Sequence, residues 1–134
     1  MLRLPILSAA LALTLIAASC AEQKPRFASE LEGSWDATFR STTKVGTNGV
    51  ACVGGTGHFS IVEPLLFGFA HSVRNRSYTV AGTPTGPTSV KGEFFYNDQL
   101  AGTFEGTYAN GRFNGTFADA DNCRGTWTAK REAG

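Results

Sequence analysis

The sequence predicts an all-β fold: a small antiparallel up-and-down β-barrel of about eight strands, with a β-sandwich as the alternative. Three observations carry that expectation. First, residues 101–118 place Asn110-Gly111 between two alternating runs, and Asn-Gly tolerates φ > 0 at both central positions of a two-residue hairpin turn. This turn pairs Tyr108 with Phe113, Gly106 with Gly115 and Phe104 with Phe117 on one face, leaving Thr103, Glu105, Thr107, Arg112, Asn114 and Thr116 for water. Second, a glycine recurs two residues before an aromatic at Phe104, Tyr108, Phe113, Phe117 and Trp127. Glycine weakens a strand, so its regular use points to sharp bending and to rings lying over neighbouring backbone, as a small closed barrel requires. Third, no helical periodicity is sustained beyond the N-terminal segment.

That segment comes first in order. Arg3 is a short positive region, residues 4–18 are an apolar run of about 15 residues where a membrane span needs roughly 20, and Ala17-Ala18-Ser19 lead into Cys20. The pattern resembles the lipobox of bacterial lipoproteins. The resemblance implies a signal peptide over residues 1–19, lipidation of Cys20 (diacylglycerol, palmitate), and a membrane partner reached through this N-terminal lipid anchor. The expected location is then the bacterial cell envelope, at the outer membrane. An ordinary secretory peptide cut after Ser19 or Ala21, giving a periplasmic or secreted protein, is the alternative. Cysteine usage agrees with lipidation: an exported protein is expected to pair its cysteines, and acylation of Cys20 leaves Cys52 and Cys123 as an even pair. Their bridge closes a loop of about 70 residues, worth about 3–4 kcal/mol in the chain-entropy model.

From Cys20 onward the chain has 115 residues, enough for one domain, with 11 Lys and Arg against 11 Asp and Glu. A net charge near zero argues against nucleic acid as a partner. Residues 20–28 are polar, contain Pro25 and read as a tether reaching at most about 25–30 Å. The barrel domain then occupies residues 29–134. Ser29 to Gly33 fits one helical turn with Ser29 as N-cap.

Residues 34–42 alternate as a first strand, with Trp35, Ala37 and Phe39 on one face. Asn48-Gly49 marks a turn, residues 50–53 a short strand containing Cys52, and Gly54-Gly55-Thr56-Gly57 a break before a strand over 58–62. Residues 64–70 (PLLFGFA) crowd Leu65, Leu66, Phe67 and Phe69 together, reading as a buried core strand or as an apolar lip at an open barrel end. A strand follows over 76–81. Thr83-Pro84-Thr85-Gly86-Pro87 reads as a rigid loop outside the sheet, because proline cannot donate to a ladder. Residues 88–96, the central hairpin and residues 123–130 follow as strands, with turns at Asn97-Asp98 and residues 119–122. A transmembrane barrel fits poorly, since several strands are shorter than the roughly 9–11 residues it needs and the apolar face alternates with glycine.

Gly33-Ser34-Trp35 at the first strand, preceded by a short helical turn, resembles the start of a calycin barrel, the group that includes lipocalins and avidin-like proteins. The resemblance implies an up-and-down barrel with an interior able to hold a small apolar ligand. It also implies a basic residue from the chain end, Lys130 or Arg131, packed across Trp35.

Residue patterns for chemistry are sparse. His58 and His71 lie 13 residues apart with no metal-ligand spacing, and His58 falls near a loop end. Asp119-Ala120-Asp121-Asn122 lacks the closing Glu of a Ca²⁺ loop and reads as a solvated turn. Gly54–Gly57 precedes a strand rather than a helix, so it is no phosphate cradle, and no serine sits in a nucleophile-elbow context. The expectation is a non-catalytic binding module without metal or cofactor. It takes a small hydrophobic ligand on Trp35, Phe39, Phe67, Phe69, Phe104, Tyr108 and Trp127. The alternative is an interaction or inhibitor/assembly accessory that meets another envelope protein through residues 64–70 and 83–87 as surface loops. Side chains can also fill a barrel of this size completely.

Overall fold

The computed structural model describes residues 29–133. Residues 1–28, with the signal peptide, Cys20 and the tether, lie outside the described part. A 3-10 turn at Ser29–Leu31 leads into eight strands: β1 (Gly33–Ser41), β2 (Gly55–Val62), β3 (Leu65–Ser72), β4 (Ser77–Gly86), β5 (Ser89–Tyr96), β6 (Gln99–Ala109), β7 (Arg112–Asp119) and β8 (Arg124–Arg131). Each pairs antiparallel with its sequence neighbours, and β1 pairs with β8, closing the barrel. Closure satisfies the ladder groups that a sandwich would leave on edge strands.

The central hairpin has the expected register, Tyr108 opposite Phe113, Gly106 opposite Gly115 and Phe104 opposite Phe117. Asn110 and Gly111 both adopt positive φ, 54° and 79°, matching the strand twist that a primed turn provides. Alternation carries the rings inward, where they lie over glycines of adjacent strands. A Cβ on Gly125 would meet the Phe117 ring at 2.6 Å, one on Gly92 the Phe104 ring at 2.5 Å, and one on Gly55 the Phe39 ring at 2.7 Å. The glycines therefore provide the depth that lets large rings fit inside a narrow barrel.

The core is concentrated at one end. Trp35 is fully buried and packs edge-on against Phe113 (4.6 Å) and Tyr108 (5.7 Å), with Leu31, Ile61 and Leu66 around it. Its indole Nε1–H donates to the Leu31 carbonyl at 3.0 Å, so the 3-10 turn plugs this end. Arg131 lies over the Trp35 ring at 4.5 Å and donates to the carbonyls of Glu32 and Glu30. The basic residue implied by the calycin resemblance is thus Arg131; Lys130 points to solvent.

Four expectations change. Residues 50–53 form no strand: Val45 makes a single bridge to Ala51, and the segment crosses the open barrel end, tied by the Cys52–Cys123 disulfide (Cα–Cα 5.4 Å). Residues 64–70 are neither a uniformly buried strand nor a loop. On β3 only Leu66, Gly68, Ala70 and Ser72 point inward, leaving Leu65, Phe67 and Phe69 exposed on the outer wall. The rigid loop at 83–87 is also mostly sheet: Pro84 pairs with Val90 beside a register shift between Pro84 and Gly86, the kind of irregularity at which a strand tolerates proline. Neither segment is a surface recognition loop. Finally, His58 lies mid-strand on the outer wall rather than at a loop end.

Candidate ligand-binding site

The barrel interior is filled at the Trp35 end and hollow at the other. Two features of the sequence create the hollow. Inward positions Ala37, Gly57 and Ala70 on β1–β3 offer almost no volume, and the rings opposite lie flat over glycines instead of reaching across. A cavity of about 460 Å³ results, within the size range of small-molecule sites. Its walls are Phe39, Phe59, Val80, Phe94, Phe104 and Phe117, with Trp127 beside them. Trp127 is held by its Nε1–H, which lies 3.1 Å from the Glu105 carbonyl and 3.2 Å from the Thr116 carbonyl, so its face stays fixed across Gly106 and Gly115.

Polar groups gather only at the rim. The Ser72 hydroxyl accepts from the backbone N–H groups of Arg76 (3.1 Å) and Arg74 (3.3 Å), shaping the β3–β4 turn. Arg76 sits over the Tyr96 ring at 4.6 Å and hydrogen-bonds Tyr78, whose phenol is pushed above its ordinary pKa by burial and partly drawn back by Arg76. One oxygen of Asp119 accepts from the N–H groups of Asp121 and Cys123, both at 2.9 Å, which closes the β7–β8 turn and commits that oxygen to the backbone. The disulfide then pins residues 49–53 across part of the mouth.

Of the seven residues proposed from sequence as ligand contacts, Phe39, Phe69, Phe104 and Trp127 are among the residues that line the cavity. Trp35 and Tyr108 belong to the plugged end. Phe67 and Phe69 carry their rings outward, 49% and 58% exposed, because β3 alternates through Gly68, and Phe67 is not among the residues that line the cavity. Phe69's ring packs on His58 at 5.9 Å, although the residue itself borders the cavity. Sequence reasoning missed Val80, Phe94, Tyr78 and the small Ala37, Gly57 and Ala70. Phe94 and Tyr78 had an available signal, in-phase alternation on their strands; the small residues had none, since an alanine shows its role only by what stands opposite.

His58 and Asp36 pair on the outer wall, with Nδ1 and Oδ1 3.1 Å apart and Glu132 4.0 Å from Nε2. The pair lies on the side of the sheet away from the aromatic cup.

No family model and no curated protein sequence matches the chain. Its architecture is nonetheless shared with solved structures. A redesigned β-barrel, mFAP1, determined bound to DFHBI, is 16% identical with a TM-score of 0.58, over 80% of this chain and 100% of that one. A redesigned barrel, b11L5F_LGL, is 22% identical with a TM-score of 0.59, over 81% of this chain and 96% of that one. A fluorescence-activating β-barrel designed de novo is 17% identical with a TM-score of 0.56, over 78% of this chain and 96% of that one. At these identities the likeness is one of fold. The class defined is a closed eight-stranded up-and-down barrel, plugged at one end and cupped at the other.

Proposed function

We infer that the protein is a non-catalytic binding module that holds a small hydrophobic ligand in the cup, tethered to the cell envelope through a lipid on Cys20. The observation that carries the binding reading is the half-filled interior: about 460 Å³ of space walled by rings, with polar groups confined to its rim. Leaving such space empty sacrifices dispersion contacts, and an apolar ligand restores them. The redesigned barrel mFAP1, determined bound to DFHBI, supports the reading, because a barrel of the same architecture binds a small molecule. The lipobox-like Ala17-Ala18-Ser19-Cys20 supports the anchor.

The test uses 1-anilinonaphthalene-8-sulfonate as probe and Ala70→Leu as the blocking variant, since a larger side chain at that position enters the cup. Probe fluorescence is expected to rise on the natural protein and to need at least about tenfold more protein with Ala70→Leu, consistent with removing a ligand's room in a packed site. Equal binding by the two proteins at unchanged secondary structure would overturn the reading. For the anchor, Cys20→Ala is expected to move the protein from the membrane to the soluble fraction, and unchanged fractionation would reject it.

A further inference from the structure

Four of the exposed large apolar side chains stand together on the outer wall, on β2 and β3. Val62, Leu65, Phe67 and Phe69 are 59%, 59%, 49% and 58% exposed, and the register sets them side by side on β2 and β3. The outward neighbours of Phe67, Ser60 and Ala81, are uncharged, so the strip carries no full charge between Leu65 and Phe69. Glu63 of the β2–β3 turn bounds it at one end and the His58–Asp36 pair at the other. By contrast, outward positions on β5 to β8 include Lys91, Glu93, Glu105 and Lys130. Contiguous exposed apolar surface of this kind marks a contact site.

The position of the strip identifies its occupant. The chain enters at the plugged end: Gly33 pairs with Ile61, and the β2–β3 turn follows immediately, so Val62 and Leu65 stand at the same end as Ser29. In the row Ser34, Ser60, Phe67, the ring lies two strands from the entry, about 10 Å away. Residues 21–28 span at most about 25–30 Å, so a lipid on Cys20 keeps this end within reach of the bilayer. We propose that Val62, Leu65, Phe67 and Phe69 form a bilayer-contacting face that lays the barrel on the membrane with β3 down. This holds the mouth of the cup to the side. The proposal rests on the Cys20 anchor for its geometry, while the strip itself is independent of it. Leu and Phe side chains at an uncharged surface suit insertion at the interfacial depth of a membrane.

The test places a tryptophan on the strip and another on the opposite wall. Phe67→Trp and Asn114→Trp, the latter four strands away on β7, are prepared in the full-length lipidated protein and bound to phosphatidylethanolamine/phosphatidylglycerol vesicles with dibrominated acyl chains. Trp35 and Trp127 are buried, at 0% and 7% exposure, and supply a common background. Fluorescence above that background is expected to be quenched at least twofold for Phe67→Trp and left unchanged for Asn114→Trp. Equal quenching at both positions, no quenching at Phe67→Trp, or failure to bind vesicles overturns the proposal. A dimer in solution that Leu65→Ser/Phe67→Ser converts to monomer would also overturn it, assigning the strip to a second copy. Failure of the anchor is read separately, by the fractionation of Cys20→Ala, so the two outcomes are distinguishable.

Discussion

Trp127 and Gly115 show how little freedom single positions have in this barrel. The indole edge lies directly against the glycine, and a Cβ there would contact both the ring nitrogen and the Glu105 carbonyl. Gly115→Val is therefore expected to cost about 1–3 kcal/mol or more, read as a lower midpoint in chemical denaturation, because neither backbone nor ring can retreat. Arg131 is similarly committed, lying over Trp35 and donating to two carbonyls of the turn that plugs the barrel. Arg131→Ala should lose about 1–2 kcal/mol. Tyr78 carries a pH signature. Burial raises its folded pKa above the unfolded value of about 10, so the folded state holds its proton longer and stability falls as pH rises through that region. An alkaline absorbance titration should show one phenol ionising later than free tyrosine, and Tyr78→Phe should remove that step.

Among the elements, β3 and the segment before β2 were the least legible. The run PLLFGFA satisfies more than one pattern, and its phase is set only by pairing with β2 and β4, which turns Leu66 in and Phe67 out. By contrast, β6 and β7 were readable to the residue, because a two-residue turn imposes register locally and the pairing needs no information from elsewhere. Residues 50–53 look like a strand for their Val-Ala-Cys-Val composition, yet they serve as a strap across the mouth, held by a partner 71 residues away. Cys52→Ser/Cys123→Ser is expected to lower stability by about 2–4 kcal/mol in denaturant titration, with the strap's amides exchanging faster.

Taken whole, the barrel divides its interior between stability and vacancy. The plugged end supplies the packed core, and the cup forgoes packing in order to leave room. Filling that room should then separate the two roles: Ala37→Leu with Ala70→Leu is expected to keep or raise the thermal midpoint while abolishing probe binding, measured by calorimetry and fluorescence on the same samples. A drop in both would mean that the small residues are required for packing rather than for space.

Alternation, glycine spacing and Asn-Gly turns were enough to give an antiparallel barrel of about eight strands and the inward rings of β6 and β7, since these depend on near neighbours, and the pairing of Cys52 with Cys123 followed from counting once Cys20 was read as acylated. The outward turn of Phe67, the inclusion of Pro84 in the sheet and the cup were settled only once the strands met around a closed ring. Those features depend on what faces a residue across the interior, and the chain places such partners tens of residues apart.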